Sequence, residues 1–183
     1  PGFGWKAWGA EPTRSKAVVV EGNRMSNGHV TVAVDALTGT WSLDGHPGLG
    51  RLVDGGDVGD TYNWCPPAED REVDRPLSVE VHVVEAGPVR GRIEVLRRYR
   101  WPERAEGGAR VGDVDVEVLT TLELQAGEDV VRVSEELDNR SRDHRLRVLF
   151  PLARARHVVQ GRVRLRRGRA GPGGRGRPRP SRP

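Results

Sequence analysis

A single cysteine, Cys65, is all the chain of 183 residues contains, which excludes an internal disulfide framework and any multi-cysteine metal knuckle. A reduced, cytoplasmic setting is therefore expected. No run approaches the roughly 18 apolar residues that span a bilayer, and the opening PGFGWKAW has neither a basic n-region nor an apolar h-region. Neither secretion nor a membrane partner is signalled. Helical periodicity over three turns is missing throughout. The sole methionine is Met25, and a chain that does not begin with one reads as a fragment. Acidic residues are lacking from Arg154 to Pro183, where 11 arginines fall. Without that stretch the 30 bases become 19 against 26 acids, so a chain of formal charge +4 has a body of −7.

What is present is alternation at period two, which puts alternate side chains on one face of a pleated strand. Val30, Val32 and Val34 share one face, as do Val79, Val81 and Val83, Val114, Val116 and Val118, and Leu146, Val148 and Phe150. Between Val89 and Trp101, Ile93, Val95, Tyr99 and Trp101 face one way and Arg92, Glu94, Arg98 and Arg100 the other. Arg97 breaks the inner set. Since a buried arginine needs partners, it is expected at a strand end or partly exposed. Turn signals fall at Asn27-Gly28, Asp44-Gly45, Asp54-Gly55-Gly56, Ala86-Gly87-Pro88, Gly107-Gly108 and Ala126-Gly127. Short strands with glycine-containing turns predict an all-β, antiparallel sandwich. No internal repeat stands out.

The densest polar cluster is LVDGGDVGDTYNWCPPAED, Leu52 to Asp70. Its glycines permit tight turns, which predicts that Asp54, Asp57 and Asp60 gather. The spacing matches no calcium loop, and no bidentate glutamate follows where one is required, so no metal ligand is assigned. Asp143 and His144 are neighbours on a strand and point to opposite faces, which makes structural pairing the expectation rather than a dyad. Ser141 lies in no G-x-S-x-G elbow, Cys65 is expected as a small packed residue, and the five histidines show no ligand spacing. No catalytic residue is assigned.

Several segments together resemble one family. GDVGDTYNWCPP with Asp70 after it resembles the loop that begins the C-terminal β region of glycoside hydrolase family 38, the α-mannosidases. LDNRSRDHRLRVLFP, Leu137 to Pro151, is similar to the following strand-turn-strand in bacterial members grouped with mannosylglycerate hydrolase. PGFGWKAW resembles the connector into that region, and VDALTGTWSLDG its first hairpin. The resemblance runs in order from Pro1 to about Ala153. It implies a sandwich of the galactose mutarotase type, truncated here. Residues 1–16 would be the connector, 17–153 the partial sandwich and 154–183 a disordered basic tail.

It also implies an N-terminal catalytic domain outside this chain, which in the family carries zinc and the aspartate nucleophile of a retaining mechanism. The cofactor expected in this chain is therefore none, and the partners are that domain and an α-mannoside or mannosylglycerate-like carbohydrate. The family's β region sends a loop to the sugar, and its tyrosine matches Tyr62. Tyr62 would stack on a pyranose and hydrogen-bond through its hydroxyl, or else fill a core or interdomain position. Asp57, Asp60 and Asn63 would orient it or reach a sugar hydroxyl. The alternatives are a stand-alone carbohydrate-binding module and a nucleic-acid-associated protein acting through the tail. Nucleic acid is the weaker partner, because the tail has no interleaved aromatics. Its Arg, Gly and Pro composition reads better as a frame lost near His157 in a GC-rich gene.

Overall fold

The computed structural model describes residues 15–60 and 62–151 and the backbone of Leu165–Arg166. Most of the expected connector and tail thus lies outside the described residues. Every described element is a strand. The first layer is an antiparallel meander of β1 (Val19–Glu21), β2 (Arg24–Ser26), β3 (Thr31–Val34), β4 (Trp41–Leu43) and β5 (His46–Leu49). Two of its turns, Asn27-Gly28 and Asp44-Gly45, are those read from the sequence. Asp44 and Gly45 between β4 and β5 both have positive φ, 48° and 82°, the geometry of a two-residue hairpin loop.

The facing layer is built from four antiparallel strands, β7 (Ser78–Ala86), β8 (Arg90–Trp101), β11 (Val114–Gln125) and β12 (Val131–Leu137), in the order β12-β11-β8-β7. The backbone of β14 (Leu165–Arg166) adds a short parallel pairing to β12. The long β8 and β11 pair without a slip from Arg90↔Gln125 to Trp101↔Val114. A one-residue shift would turn every inward valine outward, so the alternation pins this register. On β7, Val79 and Val81 pack on the core, but Val83 is 45% exposed. A register shift between Val83 and Glu85 ends the shared face there.

Two further ladders complete the fold. β6 (Arg51–Gly56) pairs antiparallel with β13 (His144–Leu149), and β9 (Arg104–Glu106) with β10 (Ala109–Val111) through the Gly107-Gly108 turn. The segment Asp54-Gly55-Gly56, expected as a turn, is instead the end of β6. Gly56 serves close approach, since a Cβ there would sit 2.4 Å from Cδ of Pro67.

The apolar faces form two clusters. In one, Met25, Val32, Val34, Trp41 and Leu49 meet Ile93, Val95, Leu122, Leu124 and Val133. In the other, Leu52 meets Tyr99, Trp101, Val116 and Val118, with Leu146 and Val148 against them. Between the clusters runs a polar row across three strands: Arg97 of β8, Thr120 of β11 and Glu135 of β12. Arg97 is neither at a strand end nor partly exposed; it is 1% exposed at mid-strand. Its partners explain why it can be there. Nη1 donates to the carbonyl of Gly50 at 2.8 Å, Nη2 lies 3.2 Å from Oε1 of Glu135, and Thr120 donates its hydroxyl to Oε2 at 2.7 Å. Burial pushes the Glu135 carboxyl above its ordinary pKa, opposed by the Arg97 charge and these hydrogen bonds. The outer face of the same strands carries exposed ion pairs, Arg98 with Glu80 and Glu117, and Arg100 with Asp115.

Candidate functional site

The four candidate residues sit on one loop, 57–66, leaving the end of β6 where that strand begins its pairing with β13. The Asp57 N–H ties its start to the carbonyl of Asp143 beside β13 at 2.9 Å, and the Val58 N–H closes its ends on each other through the carbonyl of Cys65 at 2.8 Å. Inside it, short polar side chains bond the backbone two or three residues on, as aspartate does in turns. Asp60 Oδ1 accepts from the amides of Tyr62 and Asn63, both at 2.8 Å, and Asp57 Oδ1 accepts from those of Gly59 and Cys65, both at 3.1 Å. The two amides hold the Asp60 carboxyl below the usual aspartate value. Among the described residues every hydrogen bond to Asp57 and Asp60 falls on Oδ1.

At Gly59 the chain closes tightly on itself. A Cβ there would lie 1.8 Å from the carbonyl oxygen of Asn63, so only glycine fits. Beyond this tight frame Tyr62 stands 91% exposed. Its ring is no part of the sandwich core, which leaves the sugar-facing and interdomain positions. Trp64 is anchored at both ends of its side chain: the indole N–H donates to the carbonyl of Gly56 at 3.3 Å, and the Arg145 guanidinium lies 5.4 Å from the ring centroid. Cys65, expected to be packed, is exposed, because the turn that closes on Val58 carries its side chain outward.

The expected gathering of Asp54 with Asp57 and Asp60 does not occur. Asp54 is on β6, buried, between Arg110 Nη2 at 2.7 Å and His144 Nδ1 at 2.6 Å. His144 is thus paired structurally with an aspartate on a neighbouring strand, while Asp143 turns away at φ 51° and accepts the amide of Ala105 at 3.2 Å. Arg110 was not singled out from the sequence, although an inward Asp54 in the alternation of Leu52 and Asp54 signals a buried partner of opposite charge. Among the described residues no group of three or more His, Cys, Asp or Glu side chains converges as a metal requires. A separate open depression of about 1100 Å³ lies beside Leu77, Leu96, Leu119 and Leu137, and no residue of the 57–66 loop lines it.

No family model matches this chain. It is 25% identical to a putative mannosylglycerate hydrolase of Halalkalibacterium halodurans, over 59% of this chain and 14% of that protein. Two solved structures from Enterococcus faecalis share its fold at 20% identity. One, an α-mannosidase, superposes with a TM-score of 0.68 over 74% of this chain and 18% of its own length. The other, a protein in glycosyl hydrolase family 38, gives 0.67 over 78% and 20%. The all-β reading holds, and so does the resemblance to family 38 over part of the chain. The chain spans no more than a fifth of any of these three proteins.

Proposed function

We propose that this chain is the non-catalytic β-sandwich portion of a retaining, α-mannoside-acting glycoside hydrolase, which buttresses a catalytic domain and presents the 57–66 loop to the sugar. The observation that carries this reading is Tyr62. A large amphipathic ring is held 91% exposed at the tip of a loop that its own side chains stiffen, where a flexible polar tip would serve a bare connection as well. Preorganisation is what a binding loop needs, since ordering it on contact would cost affinity. Tyr62 would stack on the pyranose, with Asn63, Asp57 and Asp60 at hand for sugar hydroxyls.

On this reading zinc and nucleophile belong to the catalytic domain, and the substrate is an α-mannoside or a mannosylglycerate-like compound. The enzyme would act in the reducing cytoplasm, where the exposed Cys65 thiol is at home. The test uses the longer polypeptide that carries this region. It should hydrolyse an aryl α-mannoside, and Tyr62→Ala should lower kcat/KM by roughly 5- to 150-fold, the worth of about 1–3 kcal/mol of stacking and hydrogen bonding. Tyr62→Phe should lose only the hydroxyl's share. Full activity in both variants would reject the sugar role, and mannoside binding by the present chain alone would favour a stand-alone binding module.

A further inference from the structure

The base of the loop holds a buried charged cluster that the reading above does not use. We propose that Arg110 and Asp70 form a clamp that sets the position of the 57–66 loop, acting as positioning residues for Tyr62; the sugar role of that loop rests on the function proposed above. Arg110 comes from the β9–β10 hairpin, and its side chain is fully buried, as is that of Asp54. Its guanidinium reaches both arms of the loop. On the outgoing arm Nη2 meets Oδ2 of Asp54 at 2.7 Å. On the returning arm Nη1 donates to the carbonyl of Arg71 at 3.1 Å and lies 3.8 Å from Oδ1 of Asp70.

Asp70 closes the circuit. Its two oxygens accept the amide of Gly56 at 3.0 and 3.1 Å, and the carbonyl of Gly56 accepts the indole of Trp64. The hairpin that supplies Arg110 is itself laced to the returning arm, with Glu69 N–H donating to Gly108 and Arg110 N–H to Glu69. His144, 5.9 Å from Trp101 between ring centroids, holds the other oxygen of Asp54 and joins the cluster to the second apolar core. A planar guanidinium with several fixed donors can tie two chain segments at a set distance, which a lysine cannot. The spacing of the loop's ends, and with it the placement of Tyr62, is thereby fixed from below.

The experiment is amide and indole hydrogen exchange by NMR on the full chain, without sugar. Asp70→Ala removes the acceptor for Gly56 while leaving the buried pair intact. The amides of Tyr62, Asn63 and Cys65 and the Trp64 indole should exchange about tenfold faster or more, while those of β8 and β11 stay as they were. Asp70→Asn keeps an oxygen for the Gly56 amide and should restore most of the protection, a rescue that general destabilisation would not give. Arg110→Met alone strands the Asp54 charge, so it is paired with Asp54→Asn, and the double variant should also loosen the loop. Wild-type protection of the loop in both Asp70→Ala and the double variant would overturn the clamp, as would equal loss of protection in β8 and β11. A loosened loop with Tyr62→Ala inert in the longer enzyme would leave the clamp standing and remove the sugar role; the reverse would remove the clamp alone.

Discussion

Replacing Arg97 by methionine tests the central ion pair. The substitution keeps an apolar stem where Gly39 packs on the arginine, a Cβ there falling 2.5 Å from Cδ of Arg97. It leaves Glu135, with a side chain 3% exposed, without its cation, and Gly50 and Thr120 without a donor partner. Breaking a buried pair from one side costs about 3–5 kcal/mol, a large part of the about 5–15 kcal/mol that holds a domain folded. Arg97→Met/Glu135→Leu removes both charges. Losing the pair is then neutral or gains about 1–4 kcal/mol, offset by about 1–3 kcal/mol for each of the orphaned Gly50 carbonyl and Thr120 hydroxyl, so the double variant should recover part of what the single variant loses. Urea unfolding followed through Trp41 and Trp101 measures both. The pH dependence has a definite sign. The Glu135 pKa is already raised in the folded state and rises further without Arg97. Stability from such a group is present below the unfolded value, near 4.5, and is lost as pH rises through the folded pKa. The Arg97→Met deficit should therefore shrink toward pH 5 and widen toward pH 8. A single variant costing under about 1 kcal/mol at pH 8, or a double variant as unstable as the single, would refute the account.

Gly59→Ala should disorder the loop and quench the Trp64 signature, because the new methyl cannot coexist with the Asn63 carbonyl; urea stability should change little, and a loop unchanged by NMR would contradict the close approach. The Asp60 carboxyl lies below its ordinary 3.8 through the amides of Tyr62 and Asn63. A depressed folded pKa gives a contribution present above that value and lost as pH falls through the folded pKa. The Tyr62 and Asn63 amide shifts should hence hold at pH 4 and move only in stronger acid, and a midpoint above 3.8 would dismiss those hydrogen bonds. Leu122→Ala, at a side chain with no exposure, should cost about 2–5 kcal/mol in urea unfolding without changing loop exchange.

The strands were legible because alternation is a direct print of one buried face, and the inner sets of Val32, Ile93, Val95 and Val116 are buried where the pattern puts them. Arg97 was legible as an anomaly but not as a solution, since its partners come from β11, β12 and Gly50, all remote in sequence. Asp54-Gly55-Gly56 misled because aspartate and glycine favour turns, while here Gly56 makes room for Pro67 and Arg110 against a strand. The site loop was legible as a cluster. Its internal bonding follows from local aspartate chemistry, whereas the anchoring by Arg110, Asp70 and Arg145 depends on contacts that no spacing reveals.

The polar row of Arg97, Thr120 and Glu135 has a consequence for how the molecule can change. It works as a bulkhead, and packing errors on one side should not spread to the other. Substitutions in the Ile93 compartment and in the Trp101 compartment should add in free energy instead of compounding, as for sites with no shared partner. The Trp101 compartment also supports His144 and, through it, the floor of the Tyr62 loop. Variation that retunes the loop can therefore accumulate in that half while the other keeps the chain folded.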